Sequence, residues 1–450
     1  IDVSGMAREK LILQNGKSNS YFVKYLIYIS FILIALFVLY NVAVLPKLNQ
    51  LHEMSYNDWY NDSVYQDYLI GIVTAFVLLI INVFLFINSK MGVHFVGVLM
   101  VKIILVLVLS LYIDSIYLPD KDGYFGNGVY NFEHVKEWGF SGTMVMHYMI
   151  YYLTLVIPSS YYSVKVLFVT LSTYGLYFLY LSAQRYAYRY NKTFFYILLL
   201  SPSAIAWGGE ISKDVILLFF VGLFFYLSSR IGKSRNSSFY IVAALLPLIG
   251  AFFIREWFSI ILFPVYFYYI FSLRLKLRNN LLYNAYKYLS SFIVAAAGYY
   301  GFNLFLSFYN NLEYYRSAFT GGGSSVDFSP LAYGIYSIVI YPLYVMIFPF
   351  IPLTLGGGFA SISAIFNMAI LFIFLIVLRN GWRYLSGAGL EYLSYILLWA
   401  CIYSPFVSNY GTLDRYKLVM YPVLFVYIFV LINAKYCSPL VGRTGCDYKN

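Results

Sequence analysis

Charge is scarce in this chain: lysine, arginine, aspartate and glutamate together make up 11% of its 450 residues. Cysteine and histidine are scarcer still, at 3 and 4. Cys401, Cys437 and Cys446 lack metal-ligand spacing, and a disulfide framework is not expected. No two of His52, His94, His134 and His147 are spaced to share a zinc ion, which excludes a metalloprotease. The alternating pattern of outer-membrane barrel strands is also missing, so helices must do any spanning. The G-G-G-S-S run at Gly321–Ser325 has no strand before it and no Lys and helix after it. It is therefore no phosphate-binding P-loop, and reads as a flexible lid or linker. The first apolar run is too long for a cleavable signal peptide, and no small-residue cleavage site follows it.

What the chain has in abundance is apolar residues. They make up 61% of it, and the mean hydropathy is +0.72. Many runs reach the roughly 17–25 residues that cross a bilayer as helix. These features predict an all-α polytopic membrane protein, a single bundle over 1–450. Its expected spans are 26–45, 68–88, 92–112, 164–183, 194–207, 213–229, 238–253, 257–273, 287–307, 361–378, 388–405 and 416–434. The net charge of +11 does not point to nucleic acid, because lysine and arginine fall in short loops between spans. The 51 tyrosines and 40 phenylalanines exceed what interface belts need; a groove that stacks sugars or packs a lipid chain would use the rest.

Sidedness follows from the basic residues. With both termini in the cytoplasm, about two thirds of the 30 lysines and arginines face inward. Letting Met144–Pro158 cross the membrane would turn the basic clusters at 185–192, 230–235 and 274–287 outward. That stretch and the Pro- and Gly-rich Leu331–Leu353 therefore read as interfacial or re-entrant segments. They belong to two outer loops, 113–163 and 308–360.

This topology gathers the charged residues near membrane depth on the outer face. Asp120 and Asp122 flank Lys121 in the first outer loop, and Tyr124 follows. Asn131–Trp138 can form a short amphipathic surface helix. In Ser201–Asp214, which joins two apolar runs, Glu210 sits just before a helix, and Lys213 and Asp214 lie about one turn on from it, near enough to share a face. Arg255 stands between two spans with no room for a loop, Arg316 lies in the second outer loop, and Asp414-Arg415 opens the last span. Each has a plain alternative: a solvated hairpin with an internal ion pair at 210–214, an Arg255–Glu256 pair, a weak interface pair at Asp414-Arg415. Lys102, inside a span, either snorkels to the interface or faces the bundle.

Carboxylates beside buried cations suit a reaction on a phosphate-linked substrate. Arginine grips phosphate oxygens in a fixed fork, and lysine adds a point charge. A carboxylate can take the proton of an attacking sugar hydroxyl, while the cations offset charge growing on a leaving diphosphate. Asp120-Lys121-Asp122 can also hold a divalent ion such as Mg or Mn through oxygens. No nucleotide-sugar fold is visible. A lipid-linked oligosaccharide flippase or transporter is the alternative; it would place the same charges in a central cavity reached from both sides.

The D-x-D-x-Y character of the first outer loop and the late D-R-Y-x-x-x-x-Y-P at Asp414–Pro422 resemble the GT-C superfamily of polytopic glycosyltransferases. S-P-S-A-I-A-W-G-G-E-I-S-K-D, the single Arg255 before a span and G-G-G-S-S-V-D resemble a branch among bacterial surface-polysaccharide proteins, some of them O-antigen or capsule polymerases. The likeness implies a GT-C-like fold and a catalytic carboxylate in the first outer loop, where Asp122 or Asp120 matches by position. Glu210, Lys213, Asp214, Arg255, Arg316, Asp414, Arg415 and Tyr124 would bind phosphate and sugar. It further implies a bacterial cytoplasmic membrane and an active site on its periplasmic or extracellular side. The donor and acceptor would be polyprenyl-linked oligosaccharides, and a chain-length regulator would be a partner. The family usually has one span before the catalytic loop, where this chain has three. Polymerases of this kind rely on arginines in two outer loops, and 308–330 here holds only Arg316.

Overall fold

The computed structural model describes residues 40–53, 64–86, 88–114, 121–135, 141–186, 191–231, 237–272, 358–381, 389–403 and 410–437. The expected spans at 26–45 and 287–307 fall wholly or largely outside these residues, and so do Leu331–Leu353, Arg316 and Asp120. All the regular structure among the described residues is helical. The helices are α1 (Leu45–Glu53), α2 (Val64–Phe86), α3 (Gly92–Asp114), α4 (Asn127–Val129), α5 (Phe132–Val135), α6 (Gly142–Val156), α7 (Tyr161–Ala183) and α8 (Lys192–Leu199). There follow α9 (Pro202–Ala206), α10 (Lys213–Arg230), α11 (Ser237–Ala243), α12 (Leu245–Ile254), α13 (Glu256–Ser272), α14 (Gly358–Gly381), α15 (Leu390–Tyr403) and α16 (Tyr410–Cys437). Single π-helical turns occupy Tyr40–Val44 and Lys121–Gly126.

Among the described residues, four stretches are long and apolar enough to cross a membrane: Val64–Phe86, Gly92–Tyr112, Tyr161–Ala183 and Arg415–Asn433. They point to an integral membrane protein and match four of the expected spans. α2 exposes a broad apolar face, with Phe76, Phe84 and Leu85 outward, as a helix facing lipid would. α7 and α16 are mostly buried within the protein.

The chain packs as two compact units. In the first (Ile1–Gln66, Val108–Leu118), Leu48 and Leu51 are buried. Tyr65 donates to Asn49 Oδ1 at 2.6 Å, and the Lys47 ammonium stands 5.1 Å from the Tyr112 ring centre. The second unit (Asp67–Leu107, Pro119–Asn450) holds the bundle proper. Its closest pairing is α7 with α10, and glycine makes it possible. A Cβ on Gly222 would come within 2.0 Å of the Gly175 carbonyl oxygen, and one on Gly175 within 2.6 Å of that of Leu218. Such close backbone approach is how small residues join helices where no hydrophobic effect drives them together.

One expected span is overturned. The run 194–207 is two short helices, α8 and α9, broken at Leu200-Ser201 ahead of Pro202. Proline lacks the N–H that a continuing helix requires and is at home in a first turn. The pair is too short to cross roughly 30 Å of hydrocarbon. It ends against the middle of its neighbours: a Cβ on Gly208 would lie 2.9 Å from Ser172 Oγ of α7, and one on Gly209 2.1 Å from Val106 of α3. The chain then climbs along α7, so that Glu210 reaches Lys165 and α10 begins at Lys213.

α6 carries Met144–Pro158 almost entirely and buries Met144, Met146, His147 and Ile150. Its 15 residues fall short of a full crossing. The amphipathic helix expected over Asn131–Trp138 shrinks, among the described residues, to the four of α5.

Candidate functional site

Three chain segments meet around Asp214. The first is the start of α10, where Asp214 lies in the opening turn and the helix dipole favours a carboxylate. The second is the joint between α12 and α13, a single extended residue, Arg255 (φ −150°, ψ 108°). Its own N–H bonds the Ala251 carbonyl and its carbonyl accepts from Phe258, so one residue turns the chain with no loop. The third is the second turn of α16, which supplies Arg415.

Asp214 is fully buried and bridges both guanidiniums. Arg255 Nη2 stands 3.2 Å from Oδ1, and Arg415 Nε stands 3.0 Å from Oδ2. The two arginines differ in exposure: the Arg255 side chain is 8% exposed and that of Arg415 26%. Arg255 also donates to Tyr403 Oη at 3.0 Å and lies 4.4 Å from the centre of the Tyr416 ring. Burial alone would lower the Arg255 pKa, but Asp214, with Tyr403 and Tyr416, outweighs it and holds the guanidinium above its ordinary range. Trp257, Trp399 and Tyr416 pack around Tyr403 as an aromatic wall.

Lys213 turns the other way, donating to Thr143 Oγ1 of α6 at 2.8 Å, yet it feels both guanidiniums as well as Asp214. One carboxylate thus has three cations around it, Lys213, Arg255 and Arg415. Glu210 pairs with Lys165 Nζ at 3.3 Å, and Lys165 lies 4.8 Å from the Tyr161 ring centre.

These partners correct several expectations. Glu210, Lys213 and Asp214 do not work as one face: Glu210 pairs with Lys165, Lys213 donates to Thr143, and Asp214 pairs with the two arginines. The 210–214 segment is not a solvated hairpin, since Glu210, Ile211, Ser212 and Asp214 are buried. Arg255 pairs with Asp214 rather than with Glu256. Arg415 also pairs with the buried Asp214; the expected Asp414–Arg415 pair involves a side chain, that of Asp414, outside the described residues. Lys102 does not snorkel: it is fully buried in the bundle, 3.5 Å from Ser172 Oγ.

Asp214, Arg255 and Arg415 are brought together, with Lys213 alongside, and Glu210 stands in a separate pair. Tyr124 is placed by its carbonyl, which accepts from His147 Nδ1 at 3.2 Å, and by ring contact with the same imidazole. Asp122 lies in the same π-helical turn, two residues before Tyr124. The side chains of Asp122 and Asp414 lie outside the described residues, as does Asp120 altogether.

Sequence reasoning missed Lys165, Thr143, His147 and Tyr403. Lys165 has a signal, a charge at the head of an apolar run, yet its position there assigns it equally well to the loop. Tyr403 has none, because its partner Arg255 is 148 residues away. No family model, no curated protein and no solved structure matches the chain.

Proposed function

We propose that the protein is a membrane glycosyltransferase that uses a polyprenyl-(di)phosphate-linked sugar on the extracytoplasmic face and joins oligosaccharide repeat units of a bacterial surface polysaccharide. The observation that carries this is the buried carboxylate shared by Arg255 and Arg415 with Lys213 beside it. Asp214 neutralises one guanidinium and holds both arginines in place. Arg415, the more exposed of the two, offers its guanidinium to an anion that enters from the membrane, with Arg255 and Lys213 behind it.

In the proposed reaction a hydroxyl oxygen of the acceptor sugar attacks the anomeric carbon of the donor. The bond from that carbon to the phosphate oxygen breaks, and polyprenyl diphosphate leaves with the electron pair. The hydroxyl proton passes to a carboxylate, for which Asp122 or Asp120 is the choice by resemblance. The arginines bear the charge that grows on the leaving oxygen.

The test is the glycan that accumulates on lipid in cells whose only copy carries Arg255→Ala. A single undecorated repeat unit is expected, with normal amounts of inserted protein. Full-length polymer would refute the site, and an acceptor short of one sugar would replace polymerase by single-sugar transferase.

The transporter alternative has two observations in its favour. Lys102 is buried midway along α3, and Glu391, at the opposite end of α15 from Tyr403, is buried and takes hydrogen bonds from Tyr186 and Tyr269. Charge is therefore not confined to one end of the bundle. Movement of labelled lipid-linked oligosaccharide across proteoliposomes, with no new glycosidic bond, would favour that alternative.

A further inference from the structure

From Gly142 to Ile150, α6 makes four contacts with four different segments. At its first residue, a Cβ on Gly142 would come within 2.0 Å of the Ile254 carbonyl oxygen, so α6 begins flush against the chain just before Arg255. Ser141 caps this end by accepting from the Met144 N–H. At the next residue Thr143 accepts from Lys213. One turn on, His147 Nδ1 bonds the Tyr124 carbonyl. One turn further, Ile150 packs on Gly128, where a Cβ would stand 3.1 Å from it. Thr143, His147 and Ile150, spaced i, i+4 and i+7, lie on one side of the helix. That side of α6 therefore touches the start of α10 and the π-helical turn that contains Asp122, while its first residue abuts the chain at the Arg255 joint.

We infer that α6 is the bracket that holds the Asp122 turn in register with the Lys213–Asp214–Arg255 cluster, with His147 and Thr143 as its positioning residues. This rests on the glycosyltransferase reading only in naming the two halves as acid–base and anion-binding; the bracket itself is a matter of contacts. A carbonyl accepts but never donates, so the Tyr124 carbonyl requires a proton on His147 Nδ1. That bond fixes the imidazole tautomer and ties the turn to α6. Thr143, four residues earlier, holds the Lys213 ammonium over the same helix. Displacing α6 would move both halves of the site with respect to each other. A reaction that needs an attacking hydroxyl and a leaving phosphate in line is sensitive to displacements of about 1 Å.

The test uses the full chain in lipid nanodiscs, as wild type, His147→Ala, His147→Asn and Thr143→Val. Backbone amide exchange is read at 121–130 and at 210–216. Turnover and donor KM are read with a polyprenyl-diphosphate-linked oligosaccharide. His147→Ala is expected to speed exchange several-fold at 121–130 and to lower kcat with donor KM little changed. His147→Asn, whose amide nitrogen can stand where Nδ1 stands, is expected to restore both. Thr143→Val is expected to speed exchange at 210–216 while leaving 121–130 protected. Wild-type exchange at both segments in both variants would overturn the bracket, as would a uniform rise through α2 and α14, which would mean that His147 merely holds the fold. Local exchange changes as predicted, with no sugar transfer even by wild type, would leave the bracket standing and overturn the proposed reaction instead.

Discussion

At the scale of single residues the decisive feature is a buried carboxylate shared by two arginines. Removing one member of a buried ion pair leaves the other uncompensated, at a cost of about 3–5 kcal/mol. Asp214→Ala removes the carboxylate that buried Arg255 depends on and Arg415 shares, and should lose about that much in chemical unfolding of the detergent-solubilised protein. Arg415→Ala should cost clearly less, because its guanidinium is partly hydrated and Asp214 keeps Arg255. Equal losses would mean that the two arginines are not distinguished as described. His147 adds a pH dependence. Burial lowers its pKa below the ordinary 6.5; the Tyr124 hydrogen bond works against this, and the nearby Lys213 adds to it. The unfolded chain therefore takes up the proton first as pH falls, so this contribution to stability is complete above 6.5 and fades below it. The thermal midpoint of wild type should drop more steeply than that of His147→Asn on going below this pH. Parallel curves would remove His147 from the account. The charged residues at 210–214, at 255 and at 415 stand out in the sequence because charge near hydrocarbon is costly. Who pairs with whom is not legible there, since Asp214 and Arg415 are brought together only by the packing of α10 on α16.

At the scale of elements, four apolar runs read directly as α2, α3, α7 and α16, because length and hydropathy suffice for a clean span. The run 194–207 misleads for the same reason: hydropathy does not register a helix break, whereas Ser201-Pro202 does. The halted α8–α9 pair is what lets the Gly208-Gly209 turn enter between α3 and α7. The closeness of α7 and α10 rests on Gly175 and Gly222. A methyl added at Gly222 would meet backbone, which cannot swing aside, so Gly222→Ala should destabilise by about 1–3 kcal/mol. It should also slow any reaction by shifting the start of α10. Gly97→Ala, where a Cβ meets nothing within 4 Å, is the matched control and should be neutral in the same unfolding assay. A Gly222→Ala protein as stable as that control would show that the helices are not so closely apposed.

At the scale of the whole molecule, the proposed chemistry depends on which side of the membrane the cluster faces. The ends of α10 make this testable. Gly123, in the turn that His147 holds, is exposed and has open space around it, so Gly123→Cys should be tolerated. Arg230, at the far end of α10 from Asp214, is also exposed. With Cys401, Cys437 and Cys446 replaced by serine, each single cysteine can be offered a membrane-impermeant maleimide in intact spheroplasts and again after permeabilisation. The account predicts that Gly123→Cys is labelled in intact spheroplasts and that Arg230→Cys is labelled only after permeabilisation. The reverse pattern, with the Gly123 position reached only from the cytosol, would contradict an extracytoplasmic site beside the lipid headgroups.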